Sequence, residues 1–349
     1  MTEPKVLIVI PTLNEIAHIE GVVERMLGEA NQQTTVVIVD GGSHDGTLER
    51  VRQLSAMHSK LHLLQNSRRI QSAAVNLAVS HFGSDAEVLV RCDAHALYPN
   101  GFLGRLLESL DTTGADAVVV PLDSVGTTPL QRAIAWVSNS VLGTGGAAHR
   151  AGRMSGFVDH GHHAAFRMTT FQRAGGYDET FTHNEDAEFD CRQRALGAKV
   201  YLNAGVRVTY YPRATFGALF RQYFAYGVGR SRTVRRHPRS LRLRQLLVPV
   251  NFVACTIALG LSPWLPAGLL WPACYLAILA LSSLQFVARY RTLSGALVGV
   301  AAAVMHFAWA LGFIAGLLFH RESVWHPQSN VPPPLRAASR GRFERPLSW

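Results

Sequence analysis

Acidic residues are missing where basic ones are densest. Between Arg213 and Arg244 the chain carries a dense series of arginines and neither Asp nor Glu. A stretch of that kind suits a nucleic acid, an anionic membrane surface or a phosphorylated substrate. It stops against a long apolar run, which favours membrane lipids as its partner over nucleic acid. Charge is also scarce overall, at 17% of 349 residues, and the shortage is local. The first two thirds read as a mixed globular domain, and the last third is dominated by apolar runs. The net charge of +10 therefore matters less than where it sits.

Cysteine is scarce too. Cys92, Cys191, Cys255 and Cys274 form no Cys-x-x-Cys pair, which excludes a zinc knuckle or a dithiol redox motif. Cys255 and Cys274 lie in apolar runs, where cysteine behaves as a small hydrophobe, and nothing asks for an oxidising compartment. No secretory leader is expected at the start. The apolar run 6–10 is too short, and Pro11 and Asn14 interrupt the residues after it. It reads as a buried strand, so the N-terminal domain is expected in the cytoplasm.

What is there is a βα alternation. Strand-like runs at 6–10, 36–39, 61–64, 88–90 and 117–120 alternate with helical patterns, including 70–82 and 102–110. This predicts an α/β fold with a mainly parallel sheet and helices on both faces. Ligands sit at the carboxyl ends of such strands, where Asp40 and Asp93 fall. The stretch 143–161 is Gly-rich and reads as a loop over the site. A helix over 185–196 and an extended run over 200–211 close the domain at Pro212.

Beyond the arginines lie apolar segments at 246–265, 268–288 and 295–319, each near the ~20 residues that cross a bilayer as a helix. Arg242, Arg244, Arg289 and Arg291 are all cytoplasmic if the first two segments form a hairpin with its turn near 264–267. A third crossing puts the tail outside, yet Arg336, Arg340, Arg342 and Arg345 favour inside. Either the tail breaks the charge rule or one segment is re-entrant. The organisation expected is an α/β domain over 1–212, a basic juxtamembrane segment over 213–245, a membrane region over 246–319 and a flexible basic tail over 320–349.

Polar cargo marks three strand ends. Val36-Val-Ile-Val-Asp-Gly-Gly-Ser-His-Asp-Gly-Thr47 ends a strand in an acid and a Gly-Gly turn, whose Ser43, Asp45 and Thr47 suit turn and helix-cap roles. Val9-Ile-Pro-Thr-Leu-Asn-Glu15 and Arg91-Cys-Asp-Ala-His-Ala96 end two others. In order and spacing these segments resemble glycosyltransferase family 2, of the GT-A fold, over roughly the first two thirds of the chain. The Asp-Ala-His-Ala wording is similar to a branch that builds bacterial exopolysaccharide on a lipid-linked acceptor.

The resemblance implies an inverting, metal-dependent transfer from a nucleotide-diphosphate sugar, with a UDP-sugar expected, to a lipid-linked saccharide. Pro11, Asn14, Glu15 and Asp40 are expected to hold the nucleotide, with Arg69 nearby. The family's Asp-x-Asp metal motif reads Asp93-Ala-His95 here, so Mn²⁺ or Mg²⁺ is expected at Asp93, with His95 either a ligand or a diphosphate contact. His183-Asn-Glu-Asp-Ala-Glu188 resembles the family's Glu-Asp motif. Asp186 is then the general base and Glu185 its orienting partner, against the plainer reading of acids favoured by a helix N-terminus. Asp159-His-Gly-His-His163 lacks a full zinc ligand set and falls where relatives have an acceptor-side loop, which makes Asp159 an acceptor contact. The Gln-x-x-Arg-Trp of processive relatives is absent, which points to addition of one sugar at a time.

Gly227-Val-Gly229 predicts a bend before Arg230. Backbone amides and a guanidinium would then converge on the acceptor's phosphates, while Arg239, Arg242 and Arg244 set orientation. The location implied is the bacterial inner membrane, multi-pass, with the catalytic domain cytoplasmic. A polyprenyl-monophosphate glycosyltransferase shares these features. A sugar-binding scaffold without catalysis sits poorly with Asp93 and Asp186 together, and a nucleotidyltransferase would want a Lys-bearing Gly-rich signature that Pro11–Glu15 does not supply.

Overall fold

A computed structural model describes residues 3–146, 154–323 and 325. Most of the expected basic tail, and residues 147–153 of the Gly-rich loop, lie outside the described residues. The strands β1 (Val6–Thr12) and β2 (Thr34–Asp40) are almost continuously apolar because both their faces are covered. Their side chains alternate between two cores. Ile8, Ile10, Val36 and Ile38 face α1 (Ile19–Glu29), α2 (Thr47–Met57) and α4 (Phe102–Thr113). Leu7, Val9, Val37 and Val39 face α3 (Gln71–Phe82).

The remaining strands are β3 (Leu61–Gln65), β4 (Val88–Arg91), β5 (Ala96–Leu97), β6 (Ala117–Val120), β7 (Leu122–Ser124), β8 (Gly156–Val158), β9 (His162–Arg167), β10 (Val200–Leu202) and β11 (Val208–Tyr210). The main sheet runs β3-β2-β1-β4-β9-β6-β10-β8, and a small sheet runs β5-β11-β7. The parallel expectation holds for most of the main sheet. The exceptions are β9, antiparallel to β4 and β6, and β8, antiparallel to β10. The single extended run expected over 200–211 is split, because β10 joins the main sheet and β11 the small one. The expected 143–161 loop includes the end of the one-turn helix α6 (Val141–Thr144), and β8.

The remaining helices of the α/β domain are α5 (Pro129–Ser138), α7 (Met168–Arg173) and α8 (Glu185–Ala195). A capping box of Thr128 and Gln131 starts α5. Then come α9 (Phe216–Arg236), α10 (Leu243–Leu261), α11 (Leu270–Tyr290) and α12 (Val298–Phe319). With the short turns preceding two of them, the segments Leu243–Leu261, Pro266–Tyr290 and Leu293–Phe319 are long and apolar enough to cross a membrane.

The bend expected at Gly227-Val-Gly229 is not there. The arginine-rich segment forms a helix, α9, that is unbroken for 21 residues. Its glycines serve close packing instead. A Cβ at Gly227 would overlap the Trp309 carbonyl on α12, and one at Gly312 would overlap the Phe224 carbonyl on α9. Gly316 meets Ser231 in the same way. Small residues four apart on both helices, Gly227 with Ser231 and Gly312 with Gly316, bring the two backbones together. Gly312→Val should therefore lower the thermal unfolding temperature of the detergent-purified protein, with a loss of about 1–3 kcal/mol from overpacking. Gly260→Val is the control, since a Cβ there meets nothing within 4 Å.

Candidate active site

The loops after β1 and β2 lock together. Asp40 is 1% exposed, and its carboxylate accepts from the Gly42 and Ser43 amides at 2.8 and 3.0 Å and from the Ser43 hydroxyl at 2.5 Å. Ser43 Oγ accepts from the Asn14 amide, Thr47 Oγ1 from the Glu15 amide and Asp45 Oδ2 from the Ile16 amide. Ser43, Asp45 and Thr47 thus act as turn residues that hold the β1 loop, and the helix-cap position itself is taken by Gly46, without a side-chain cap. Asp40 builds that turn from within it. Asn14 and Arg69 both take left-handed backbone conformations, at φ 56° and 58°. Such strain in bulky residues persists where surroundings enforce it. The Arg69 guanidinium packs over Gly42.

The end of β4 carries the charge. Arg91 is 5% exposed and reaches three carboxylates: Asp186 at 2.5 Å, Glu185 at 3.2 Å and Asp93 at 3.9 Å. Asp93 Oδ1 accepts from Gln71 Nε2 at 2.8 Å, and Oδ2 lies 3.6 Å from His162 Nε2. Burial raises the Asp93 pKa, but His162 and Arg91 outweigh it, and the group is held below its ordinary range. His95 turns Nδ1 to Glu15 at 2.8 Å. Among the described residues no group of three or more His, Cys, Asp or Glu stands ready to hold a metal alone. The donor set still fits a divalent ion that takes its other ligands from a diphosphate, since Asp93 is ionised with one oxygen turned from Gln71 towards an imidazole.

Helix α8 begins at Glu185, after Asn184 in a left-handed conformation at φ 65°. Asp186 lies between Arg91 and His163, the latter at 3.4 Å. His163 is fully buried, with Nε2 2.9 Å from Asp190 and Nδ1 2.7 Å from the Tyr177 hydroxyl, which also accepts from Arg91. Burial opposes charge on His163, but Asp190 beside it raises its pKa well above the ordinary value. Burial also pushes Asp186 up, yet Arg91 and His163 hold it well below the usual carboxylate range. Glu185 goes the other way. Burial and the neighbouring Asp186 push it up to about 7.

One cavity of about 2570 Å³ runs past all these groups. Pro11, Asn14, Glu15 and Arg69 line one end, Asp93, His95, Glu185 and Asp186 its middle, and Leu247, Val248, Met305 and Trp309 of α10 and α12 the other. Asp40 lies beneath the turn that borders it. Arg230 also lines the cavity. It is 8% exposed, bonds Ser240 and Gln245, and its Nε has no hydrogen-bond partner. Asp159 lines the wall, ion-paired to Arg194 at 2.6 Å and to Arg242.

The structure therefore gathers the expected residues around one space except Asp40, which is buried behind it with its carboxylate bonded to Gly42 and Ser43. Sequence reasoning missed Arg91, which stood in a quoted motif without a role, and the His163–Asp190 pair, whose histidine read as part of an acceptor-side loop and whose aspartate read only as a helix residue. The signal for Arg91 was a cation ending a buried apolar strand, a place that requires anionic partners.

A largely parallel sheet with its acids at the carboxyl edge, an aspartate-bearing loop after β4 and an acidic helix start opposite define a nucleotide-sugar transferase of the GT-A type. The chain belongs to glycosyltransferase family 2. It matches the family profile, Glycosyl transferase family 2, over residues 7–175. It is 42% identical to the succinoglycan biosynthesis protein ExoA of Rhizobium meliloti (strain 1021), over 93% of this chain and 98% of that one. It is 23% identical to a dolichyl N-acetyl-alpha-D-glucosaminyl phosphate glucuronosyltransferase of Methanococcus voltae, over 66% of this chain and 74% of that one. In fold it is similar to a mannosyltransferase of Pyrobaculum calidifontis in complex with GDP-Man and Mn²⁺, with a TM-score of 0.58 at 21% identity over 87% of each chain.

The raised Glu185 has a consequence for stability. The group ionises near 4.5 in the unfolded chain but near 7 in the fold. Between those values the folded state holds a proton that the unfolded state has lost. Its stabilising contribution is complete below the lower value and is lost as pH rises through the upper one. Thermal unfolding measured from about pH 5 to about pH 7 should show a stability decline in the wild type that Glu185→Gln flattens.

Proposed function

We propose that this enzyme adds one sugar, with inversion, from a nucleotide-diphosphate sugar to a polyprenyl-diphosphate-linked saccharide at the cytoplasmic face of a bacterial plasma membrane, in exopolysaccharide assembly. One observation carries the acceptor assignment. The cavity is polar at the β1, β2 and β4 strand ends, and where it meets α10 and α12 the apolar Leu247, Val248, Met305 and Trp309 line it beside Arg244, Gln245 and His306. A soluble acceptor has no use for those apolar residues, whereas a lipid-linked one needs them. The relatives agree in kind, one being a succinoglycan biosynthesis protein and another bearing a dolichyl phosphate saccharide in its name.

In this reading Pro11, Asn14, Glu15 and Arg69 bind the nucleotide, on loops held by Asp40. Asp93, with His95 and His162 beside it, would hold Mn²⁺ or Mg²⁺, which when bound neutralises the leaving diphosphate. Asp186 is the base. It is more accessible than Glu185, with side-chain exposures of 18% and 9%. The acceptor hydroxyl oxygen bonds the anomeric carbon as the carbon–oxygen bond to the diphosphate breaks, and the hydroxyl proton passes to the Asp186 carboxylate. Arg91 orients that carboxylate and lowers its basicity in doing so. Arg230 grips the acceptor's phosphates. Among the described residues it has no carboxylate partner, and burial, reinforced by Arg244, depresses its pKa, so an anion beside it relieves an uncompensated charge. Asp159 acts through Arg242 at the cavity wall.

Mass spectrometry of products from a panel of nucleotide sugars, with lipid diphosphate and lipid monophosphate acceptors, tests the reading. One sugar added to the diphosphate-linked saccharide is the expected result. A product formed only on bare polyprenyl monophosphate would assign the enzyme to the other lipid class. Asp186→Asn should reduce turnover by at least ~10² with donor binding unchanged. Arg230→Ala should raise the acceptor KM and spare nucleotide binding, and wild-type behaviour in that variant removes Arg230 from the site.

A further inference from the structure

The chain has no Asp or Glu between Asp190 and Glu322, a stretch that holds every helix from α9 to α12. Glu322, just past the end of α12, breaks that run, and three arginines from the last turns of α9 converge on it. Arg235 lies at 2.7 Å, Arg232 at 3.0 Å and Arg236 at 3.1 Å. The Ser323 carbonyl accepts from Arg236 at 3.2 Å, and the Trp325 ring packs on the Arg192 guanidinium of α8, 4.5 Å from Cζ to centroid.

The same arginines hold the segment 178–184, which leads directly into the acids of α8. Arg232 donates to the Thr180 carbonyl at 2.6 Å and lies over the Phe181 ring at 3.9 Å. Arg236 pairs with the fully buried Asp178 and lies over the same ring at 5.0 Å. Between them on α9, the Thr233 hydroxyl accepts from Asn184 Nδ2 at 2.8 Å. A Cβ at Gly229, one turn earlier, would overlap the His183 carbonyl. Asn184 is the left-handed residue from which α8 starts. The end of α9 therefore braces the turn from which Asp186 projects.

Arg232 and Arg236 stand four residues apart on a helix, where like charges repel. Arg232 is 4% exposed, and among the described residues Glu322 is the only carboxylate that pairs with it. A buried guanidinium without an anion is costly. Without Glu322, Arg232 has no anion and Asp178 alone stands between the two cations, so the end of α9 and the segment 178–184 would separate. We infer that Glu322 is a positioning residue for catalysis: by neutralising the arginines of α9 it keeps that helix against the segment 178–184 and so fixes Asp186 in the cavity. Glu322 itself does not line the cavity. The inference rests on the reading of Asp186 as the base.

Glu322→Gln in the full chain tests it, with Glu49→Gln, an exposed side chain on α2, as the control. Turnover should fall by about 10-fold or more while the Kd for a nucleoside diphosphate stays within about twofold. Amide hydrogen exchange over 178–190 should rise, and exchange over β1 and β2 should not change. Glu322→Asp keeps the charge and should recover most of the turnover. Wild-type turnover in Glu322→Gln, or lost turnover with unchanged exchange over 178–190, overturns the inference. If Glu322→Gln does not fold, Thr233→Val reads the same joint, because it removes the hydroxyl that holds Asn184 without touching a charge. Wild-type turnover in that variant overturns the inference equally. The exchange readout is independent of which acid is the base. Full turnover in Asp186→Asn would instead remove the base assignment and leave the joint standing.

Discussion

The guanidinium of Arg91 is the constraint on which the site depends. A cation buried at the end of a central strand is tolerable only if anions surround it, and here Asp93, Glu185 and Asp186 do so. Those acids come from parts of the chain almost a hundred residues apart. One charge therefore joins the end of β4 to the start of α8 across the cavity. It also divides the acids by role. Asp186, closest to Arg91 and flanked by His163, stays ionised, whereas Glu185 beside it is pushed towards neutrality. Removing Arg91 would take from Asp186 its nearest cation and leave Asp93 and Asp186 to His162 and His163 alone, so the site and the fold share this residue.

Around that centre the backbone is held in conformations it would not choose. Asn14, Arg69 and Asn184 all have left-handed backbones and all line the cavity. Two of them are fixed by side-chain hydrogen bonds. Asn14 is bonded to Ser43 and to the His44 amide, and Asn184 to Thr233 of α9. That last contact matters for the assembly, because it ties the start of the catalytic helix to the helix that packs on α12. Gly229 of α9 sits against the His183 carbonyl at the same point. The acids at the start of α8 and the apolar region are thus one packed unit, and the cavity between them has walls from both.

Much of this was legible in the sequence. Apolar runs ending in Asp40 and Asp93 marked the sheet and the edge that carries the site, since a strand buried on both faces needs no partner to be recognised. Helical periodicity placed α3, α4 and α8 within a few residues. The glycines of α9 misled, because Gly-Val-Gly in a polar segment has the composition of a bend. Only the facing Gly312 and Gly316, some eighty residues away, show that the same residues serve helix contact. The insertion of β9 between β4 and β6 was equally hidden. Pairing order is a long-range property, and it is this insertion that brings His162 and His163 from an apparent loop to Asp93 and Asp186. Arg69, expected near the nucleotide, lines the cavity with its guanidinium over Gly42 and its backbone left-handed, a conformation the sequence does not announce.

The account holds that a single cavity takes the nucleotide at one end and an isoprenoid at the other, with Asp93 and Asp186 between them. Cryo-electron microscopy of the protein in lipid nanodiscs, with a nucleoside diphosphate, Mn²⁺ and a polyprenyl diphosphate analogue, measures this directly. The predicted map has the nucleotide against Asn14, Glu15 and Arg69, and the diphosphate of the lipid near Arg230 with its chain leaving between Leu247 and Trp309. Nucleotide density at that position with the isoprenoid bound elsewhere, and the space beside Leu247 and Trp309 empty, would contradict it.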